Sequence, residues 1–306
     1  MDAVVSLSER VSLVISGFLF LVLGACASSG NGNFTFFVPD YSGLADAQVL
    51  YLAAYDGVPL AYREIGDTTA DKILLIVPGS TMYGYYYLPF MKDMGNAGLY
   101  TRVIDLRGHG DSGGPRGDVP HEESLIDDVH VHIEHLISLN PHAQIYIAGH
   151  SMGAGICGRY LEKYGYDSVK GAVYIAPFFH YRQPGMKGTG YVDVDIIKTI
   201  FGDDHAVTQH YHPSGDDPKL VREYTKIMSK ASMLSNYNSF RRNHSTQALY
   251  LIGTNDELFD WQDSPKIFSG CGSVKVVIIR GATHLDILGT SIKPVQEWMS
   301  DVSGEE

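Results

Sequence analysis

The sequence predicts an α/β fold, a mostly parallel, doubly wound sheet with helices on its faces and a helical cap inserted late in the chain. Three observations carry that prediction. Six strand-length runs between residues 72 and 281 are apolar nearly throughout, the composition that strands buried on both faces require. Several segments between them repeat their apolar residues at helical spacing. One run also passes through a small-residue turn, Gly149-His150-Ser151-Met152-Gly153, directly into such a segment.

The N-terminus stands apart from that pattern. Residues 11–25, VSLVISGFLFLVLGA, form an apolar run after Arg10. A membrane-spanning helix needs about 20 apolar residues, so this run has the length of a signal-peptide core instead. It ends in Leu23-Gly24-Ala25-Cys26, which resembles the lipobox of bacterial lipoproteins, where the cysteine is lipidated after cleavage. The expectation is a signal peptide over 1–25, a lipid on Cys26 that holds the protein at the cell-envelope membrane, and a small, polar tether over 26–47. The segment MDAVVSLSER has two acids against one arginine, weak for a signal peptide, and a secreted or periplasmic protein is the alternative.

The domain proper is expected over 48–302. VLYLAAYDGVPLAYREIG reads as two antiparallel strands around the Asp56-Gly57 turn. The six buried strands follow at 72–79, 100–108, 144–151, 169–177, 247–253 and 273–281. Between them, Leu125, Val129, Ile133 and Leu136 mark one face of a helix over 122–138, and Met152 opens another. His130, His132 and His135 on the first of these lack a metal-binding motif and read as solvated surface, so no metal is expected. A last helix covers 292–301, with Pro294 in its first turn. The 178–245 segment is too long for a connection and reads as the cap. Within it Asp217 is the expected N-cap and Pro218 the first residue of a helix carrying Leu220, Tyr224, Ile227 and Met228 on one face. Tyr181, Met186, Tyr191, Phe201, Tyr211, Met233, Tyr237 and Phe240 belong to the cap's own core or to an apolar pocket beneath it.

The formal net charge of -12 disfavours nucleic acid as a partner, because phosphate binding needs clustered Lys and Arg. Cys157 and Cys271 are too few for a disulfide framework and read as buried thiols.

Two stretches fit the pattern G-x-S-x-G, GDSGG around Ser112 and GHSMG around Ser151. The pattern turns up roughly 0.3 times by chance in a chain of this length and composition, so context decides. GDSGGP, residues 110–115, matches the signature of trypsin-type proteases letter for letter, but those place their histidine far upstream of the serine. The first histidine here is His109, three residues before Ser112. Ser151 instead falls between a strand and a helix, where a strained turn exposes a serine hydroxyl and demands small neighbours such as Gly149, Gly153 and Gly155.

A serine needs a base to take its proton. In doubly wound hydrolases acid and base follow the serine in that order, and His284, at the end of the last strand, is the one histidine after His244. The acid is expected after the strand ending at Gly253, where Asp256 comes first and Glu257 and Asp260 are the alternatives. The developing oxyanion needs N–H donors, and the candidates are the amides of Met152 and Ser80.

With RGHGDS, GHSMG, GTNDE and GATH in this order, residues 49–302 resemble the α/β-hydrolases, most of all the branch of monoacylglycerol lipases, lysophospholipases and serine-aminopeptidase-like enzymes. The resemblance implies an α/β-hydrolase fold and a serine hydrolase that needs no cofactor. Its substrates would be small-molecule or lipid esters of the monoglyceride or lysophospholipid type, and the RGHGDS segment a structural loop. Amide, peptide or thioester hydrolysis by the same residues is the alternative, as is a non-catalytic envelope ligand-binding protein on this fold. Relatives usually carry His-Gly before the oxyanion donor, where this chain has Pro78-Gly79.

Overall fold

The computed structural model describes residue 44 and residues 47–187, 191–213 and 216–304. The expected signal peptide, Cys26 and most of the tether lie outside the described residues.

The chain opens with β1 (Leu50–Ala53) and β2 (Pro59–Ile65), antiparallel, with Gly57 at φ +83° in the turn between them. Next come β3 (Lys72–Val77), α1 (Leu88–Asn96), β4 (Tyr100–Ile104), α2 (Ser124–Leu139), β5 (Gln144–His150), α3 (Met152–Tyr164) and β6 (Gly171–Ile175). The cap follows with β7 (Val192–Val194), α4 (Ile196–Phe201), β8 (Val207–Tyr211), β9 (Glu223–Thr225), α5 (Lys226–Ser232) and α6 (Tyr237–Asn243). The chain then returns through β10 (Gln247–Gly253), β11 (Val274–Ile279), α7 (Ile287–Thr290) and α8 (Ile292–Ser303). Strands therefore form inside all six predicted runs, but the last is not buried on both faces: β11 is the edge strand of the sheet, and Val276 and Ile278 are exposed.

The main sheet has the order β1-β2-β4-β3-β5-β6-β10-β11, antiparallel at the β1, β2 and β4 pairings and parallel from β4 onward. Leu74, Leu75, Ile76 and Val77 of β3 and Ala172, Val173, Tyr174 and Ile175 of β6 are buried on both faces, which is why these strands read as unbroken apolar runs. Burial of each such large side chain contributes about 1.5–3 kcal/mol.

Four further expectations are corrected. The insertion contains short helices and also a three-stranded antiparallel sheet, β7-β8-β9. No helix starts at Pro218. Residues 223–225 pair with β8 as a strand, and α5 begins at Lys226, where Thr225 accepts the Met228 amide as its N-cap. Tyr224 is therefore fixed by strand pairing rather than by helical spacing. His132 is buried, edge-on to Tyr62 at 5.5 Å, so it is core and not solvated surface. Cys157 is buried, Cys271 is only half-buried, and both are free thiols.

Candidate active site

The crossover from β5 to α3 holds Ser151 at φ 51° and ψ -119°, a backbone conformation that non-glycine residues seldom adopt. Such strain costs on the order of 1–3 kcal/mol and persists only where the surroundings enforce it. Here the Ser151 amide donates to the Ile175 carbonyl at 2.9 Å, and the Ser151 carbonyl accepts the amides of Phe178 at 2.9 Å and Ala154 at 3.0 Å. A Cβ on Gly153 would lie 2.1 Å from the Val77 carbonyl oxygen, so only glycine lets the start of α3 pass beneath β3. The Ser151 amide and carbonyl are thus both engaged locally, while the Ser151 hydroxyl has no hydrogen-bond partner among the described residues.

The loops after β10 and β11 bring an acid and a histidine to the same end of the sheet, the carboxyl ends of its strands, where open α/β sheets hold their ligands. Asp256, 1% exposed, places Oδ2 2.9 Å from His284 Nδ1, and its Oδ1 accepts the amides of Leu258 and Phe259, each at 2.8 Å. Burial works to raise its pKa, yet the charge and hydrogen bond of His284 and the two amides outweigh it and hold the carboxyl below its ordinary value. The alternatives fall elsewhere. Glu257 accepts the His284 backbone amide at 2.9 Å, and Asp260 caps the turn at Gln262 and Asp263. With Nδ1 donating to Asp256, a neutral His284 ring carries its lone pair on Nε2. The ring lies beside the elbow, its centroid 5.1 Å from that of His150, the residue before Ser151.

The loop after β3 supplies the third part. A Cβ on Gly79 would lie 3.2 Å from Ser151 Cβ, so this loop passes against the serine. The Gly79 amide donates to Tyr87 Oη and the Thr81 amide to Tyr224 Oη, both at 2.8 Å. The Ser80 amide between them has no hydrogen-bond acceptor among the described residues. The Met152 amide, at the first position of α3, has no intrahelical acceptor either. The Ser80 and Thr81 side chains are bonded to Tyr191 of the cap, Thr81 Oγ1 at 3.2 Å.

Ser112 is placed differently. It is buried, its hydroxyl donates to the Asp105 carbonyl at 2.6 Å, and it accepts the Ala61 amide at 2.8 Å. Its loop carries Arg107, which pairs with Asp128 and Asp56, and Asp111, which pairs with Arg63 and Lys219. These bonds tie the loop to the sheet, to α2 and to the cap.

Sequence reasoning placed Tyr87 only among tyrosines that line the pocket or pack under the cap, placed Tyr224 only on a helix face of the cap, and gave His150 and His109 no role of their own; all four surround the loop after β3. The signal was present only as the tyrosine run beginning at Tyr85 and as the histidines inside RGHG and GHSMG. Among the described residues, no group of three His, Cys, Asp or Glu is placed to hold a metal ion.

The sheet order, the elbow and the acid and histidine loops define an α/β-hydrolase. The chain belongs to the hydrolase family described as serine aminopeptidase, S33, whose model matches residues 68–288. It is 29% identical over 113 residues to a monoacylglycerol lipase of Mycolicibacterium smegmatis, a match covering 37% of this chain and 40% of that relative. Among solved structures it is similar to a soluble variant of the monoglyceride lipase of Saccharomyces cerevisiae in complex with a substrate analog. There the TM-score is 0.67 and the identity 16%, with 84% of this chain and 96% of that one covered. A putative aryl esterase from Burkholderia cenocepacia aligns with a TM-score of 0.63 at 18% identity, covering 84% of this chain and all of that one.

Proposed function

We propose that this protein is a serine hydrolase of carboxylic esters, with Ser151 as nucleophile, His284 as general base and then acid, and Asp256 as the group that orients it. The observation that carries this reading is the buried 2.9 Å contact between Asp256 and His284 Nδ1 beside a serine held at φ 51°. Ser151 Oγ attacks the ester carbonyl while His284 Nε2 takes its proton. The amides of Ser80 and Met152 receive the oxyanion, and His284 returns the proton to the leaving alcohol. Water then attacks the acyl-enzyme by the same route and releases the acid. Contacts between nucleophile and base are commonly loose before substrate binds and tighten in the complex.

Acyl-lipid esters of the monoglyceride or lysophospholipid type are the substrates we favour. The monoacylglycerol lipase similarity supports this, and so do the apolar side chains the cap leaves in solvent, Ile197 at 74% and Phe201 at 83% exposure. Lipidation at Cys26 would place the enzyme at the membrane holding such lipids, with the hydrolase domain beginning near residue 48. The serine aminopeptidase description of the family supports amide hydrolysis as a second reading.

A fluorophosphonate probe and a panel of medium-chain esters, thioesters and aminoacyl anilides test the function. The expected result is labelling at Ser151 and turnover of esters above amides. The proposal fails if no ester is turned over and Ser151→Ala labels as the parent does. Membrane fractionation of Cys26→Ala, expected to move to the soluble fraction, tests the anchor.

A further inference from the structure

The loop that bears Ser80 is held by two similar three-part chains of hydrogen bonds, one on either side. On one side the Gly79 amide donates to Tyr87 Oη at 2.8 Å, Tyr87 Oη lies 2.9 Å from His150 Nδ1, and His150 Nε2 lies 3.0 Å from the His284 carbonyl. A carbonyl only accepts, so His150 carries its proton on Nε2 and takes the Tyr87 hydroxyl proton at Nδ1. On the other side the Thr81 amide donates to Tyr224 Oη at 2.8 Å, Tyr224 Oη lies 2.6 Å from His109 Nε2, and His109 Nδ1 lies 3.0 Å from the Arg107 carbonyl. The same reasoning puts the His109 proton on Nδ1 and gives the Tyr224 hydroxyl proton to Nε2. All four side chains are at most 1% exposed. Burial lowers the His150 pKa to about 3 and that of His109 to about 4, so both rings are neutral in neutral solution and able to accept.

We propose that Tyr87 with His150 and Tyr224 with His109 are positioning residues that aim the Ser80 amide at the oxyanion. By fixing the two amides that flank Ser80, they leave that one donor of the loop available. The inference rests on the role of Ser80 proposed above. Two features follow from the arrangement. Thr81 has φ +66°, a strained conformation that needs an external constraint, and Tyr224 supplies one. Tyr224 belongs to β9 of the cap, and Tyr87 is joined through His150 to the backbone of the proposed base. The oxyanion donor is therefore registered against the cap on one side and against His284 on the other.

Tyr87→Phe and Tyr224→Phe remove one hydroxyl each and keep the ring. Displacement of a preorganised donor by about 1 Å lowers the rate by up to about a hundredfold, so kcat per labelled active site is expected to fall at least about tenfold, with KM within about twofold of the parent. A merely structural role lowers the melting temperature or the labelled fraction and leaves kcat per site unchanged. His109→Gln, whose amide oxygen can take the place of Nε2, should retain more kcat than His109→Ala. Nitrogen-15 NMR of the parent should show protons on His150 Nε2 and His109 Nδ1, and the opposite tautomers would overturn the proposal whatever the variants do. Ser80→Pro, which deletes the N–H itself, separates the two ideas. Parental kcat in folded Ser80→Pro removes the Ser80 role, whereas an inactive Ser80→Pro alongside folded tyrosine variants of parental kcat overturns the braces alone.

Discussion

Ser112 and Ser151 share the pattern G-x-S-x-G and are both buried, yet their hydroxyls have opposite fates. The Ser112 hydroxyl is spent within the fold, donating to Asp105 and accepting from Ala61. At Ser151 it is the backbone that is spent, on Ile175, Ala154 and Phe178, and the hydroxyl is left over. Their glycines differ in the same sense. Gly110 has φ +50° and lies where a Cβ would be 2.2 Å from an Asp105 carboxylate oxygen, so it serves a tight loop around a buried ion pair. Gly153 serves the close passage of a helix under a strand. A serine whose hydroxyl has two partners in the fold holds the structure together, and one whose backbone alone is satisfied keeps a hydroxyl that the fold does not use.

Three substitutions sharpen this contrast. Ser151→Ala should lower kcat for ester hydrolysis by about 10⁴-fold to 10⁶-fold and abolish fluorophosphonate labelling while leaving the melting temperature near that of the parent. Asp256→Asn keeps the shape but offers His284 an amide in place of a carboxylate, and kcat should fall by about 10⁴-fold. Ser112→Ala should instead leave labelling of Ser151 intact and cost about 1–3 kcal/mol in urea unfolding, because the Ala61 amide and the Asp105 carbonyl lose a buried partner. Labelling that depends on Ser112 would erase the distinction.

The contrast was legible in sequence only in part. Chain order excluded Ser112 as a protease nucleophile, because no histidine precedes His109, and strand-turn-helix context selected Ser151. The contact between His284 and Asp256 was reachable because local chemistry marks the ends of parallel strands. Tyr224 was not. Its hydroxyl meets Thr81 across 143 residues of chain, through a strand in the cap that helical spacing had disguised. His132 was misplaced for a related reason: the apolar face of α2 is wide enough to bury a neutral imidazole against Tyr62, which polarity alone does not reveal. The cap's antiparallel sheet was illegible because its strands are as short as three residues.

The histidines beside the two serines offer the finest comparison. His109 precedes Ser112 by three residues and His150 precedes Ser151 by one, and burial lowers their pKa values to about 4 and about 3. In the unfolded chain both return to about 6.5. Between those limits the unfolded state binds more protons than the native state, so stability rises with pH. The contribution is fully present above about pH 6.5 and is lost as pH falls toward about 4, at up to about 1.4 kcal/mol per pH unit for each histidine. His132, lowered to about 3, and His244, lowered to about 4, act in the same direction, burial being the largest cause in both. Between about pH 7 and about pH 5 these four histidines should therefore lower stability in urea unfolding with a combined slope of up to about four protons, against which Asp128, raised by burial to about 6, acts in the opposite sense. His109→Gln and His150→Asn should each make that slope shallower by about one proton. Equal reductions mean that both turns rest on a buried neutral imidazole and differ only in what their serine does. No change for His150→Asn would mean that its ring is already charged in the native state, and Tyr87 could not then donate to it.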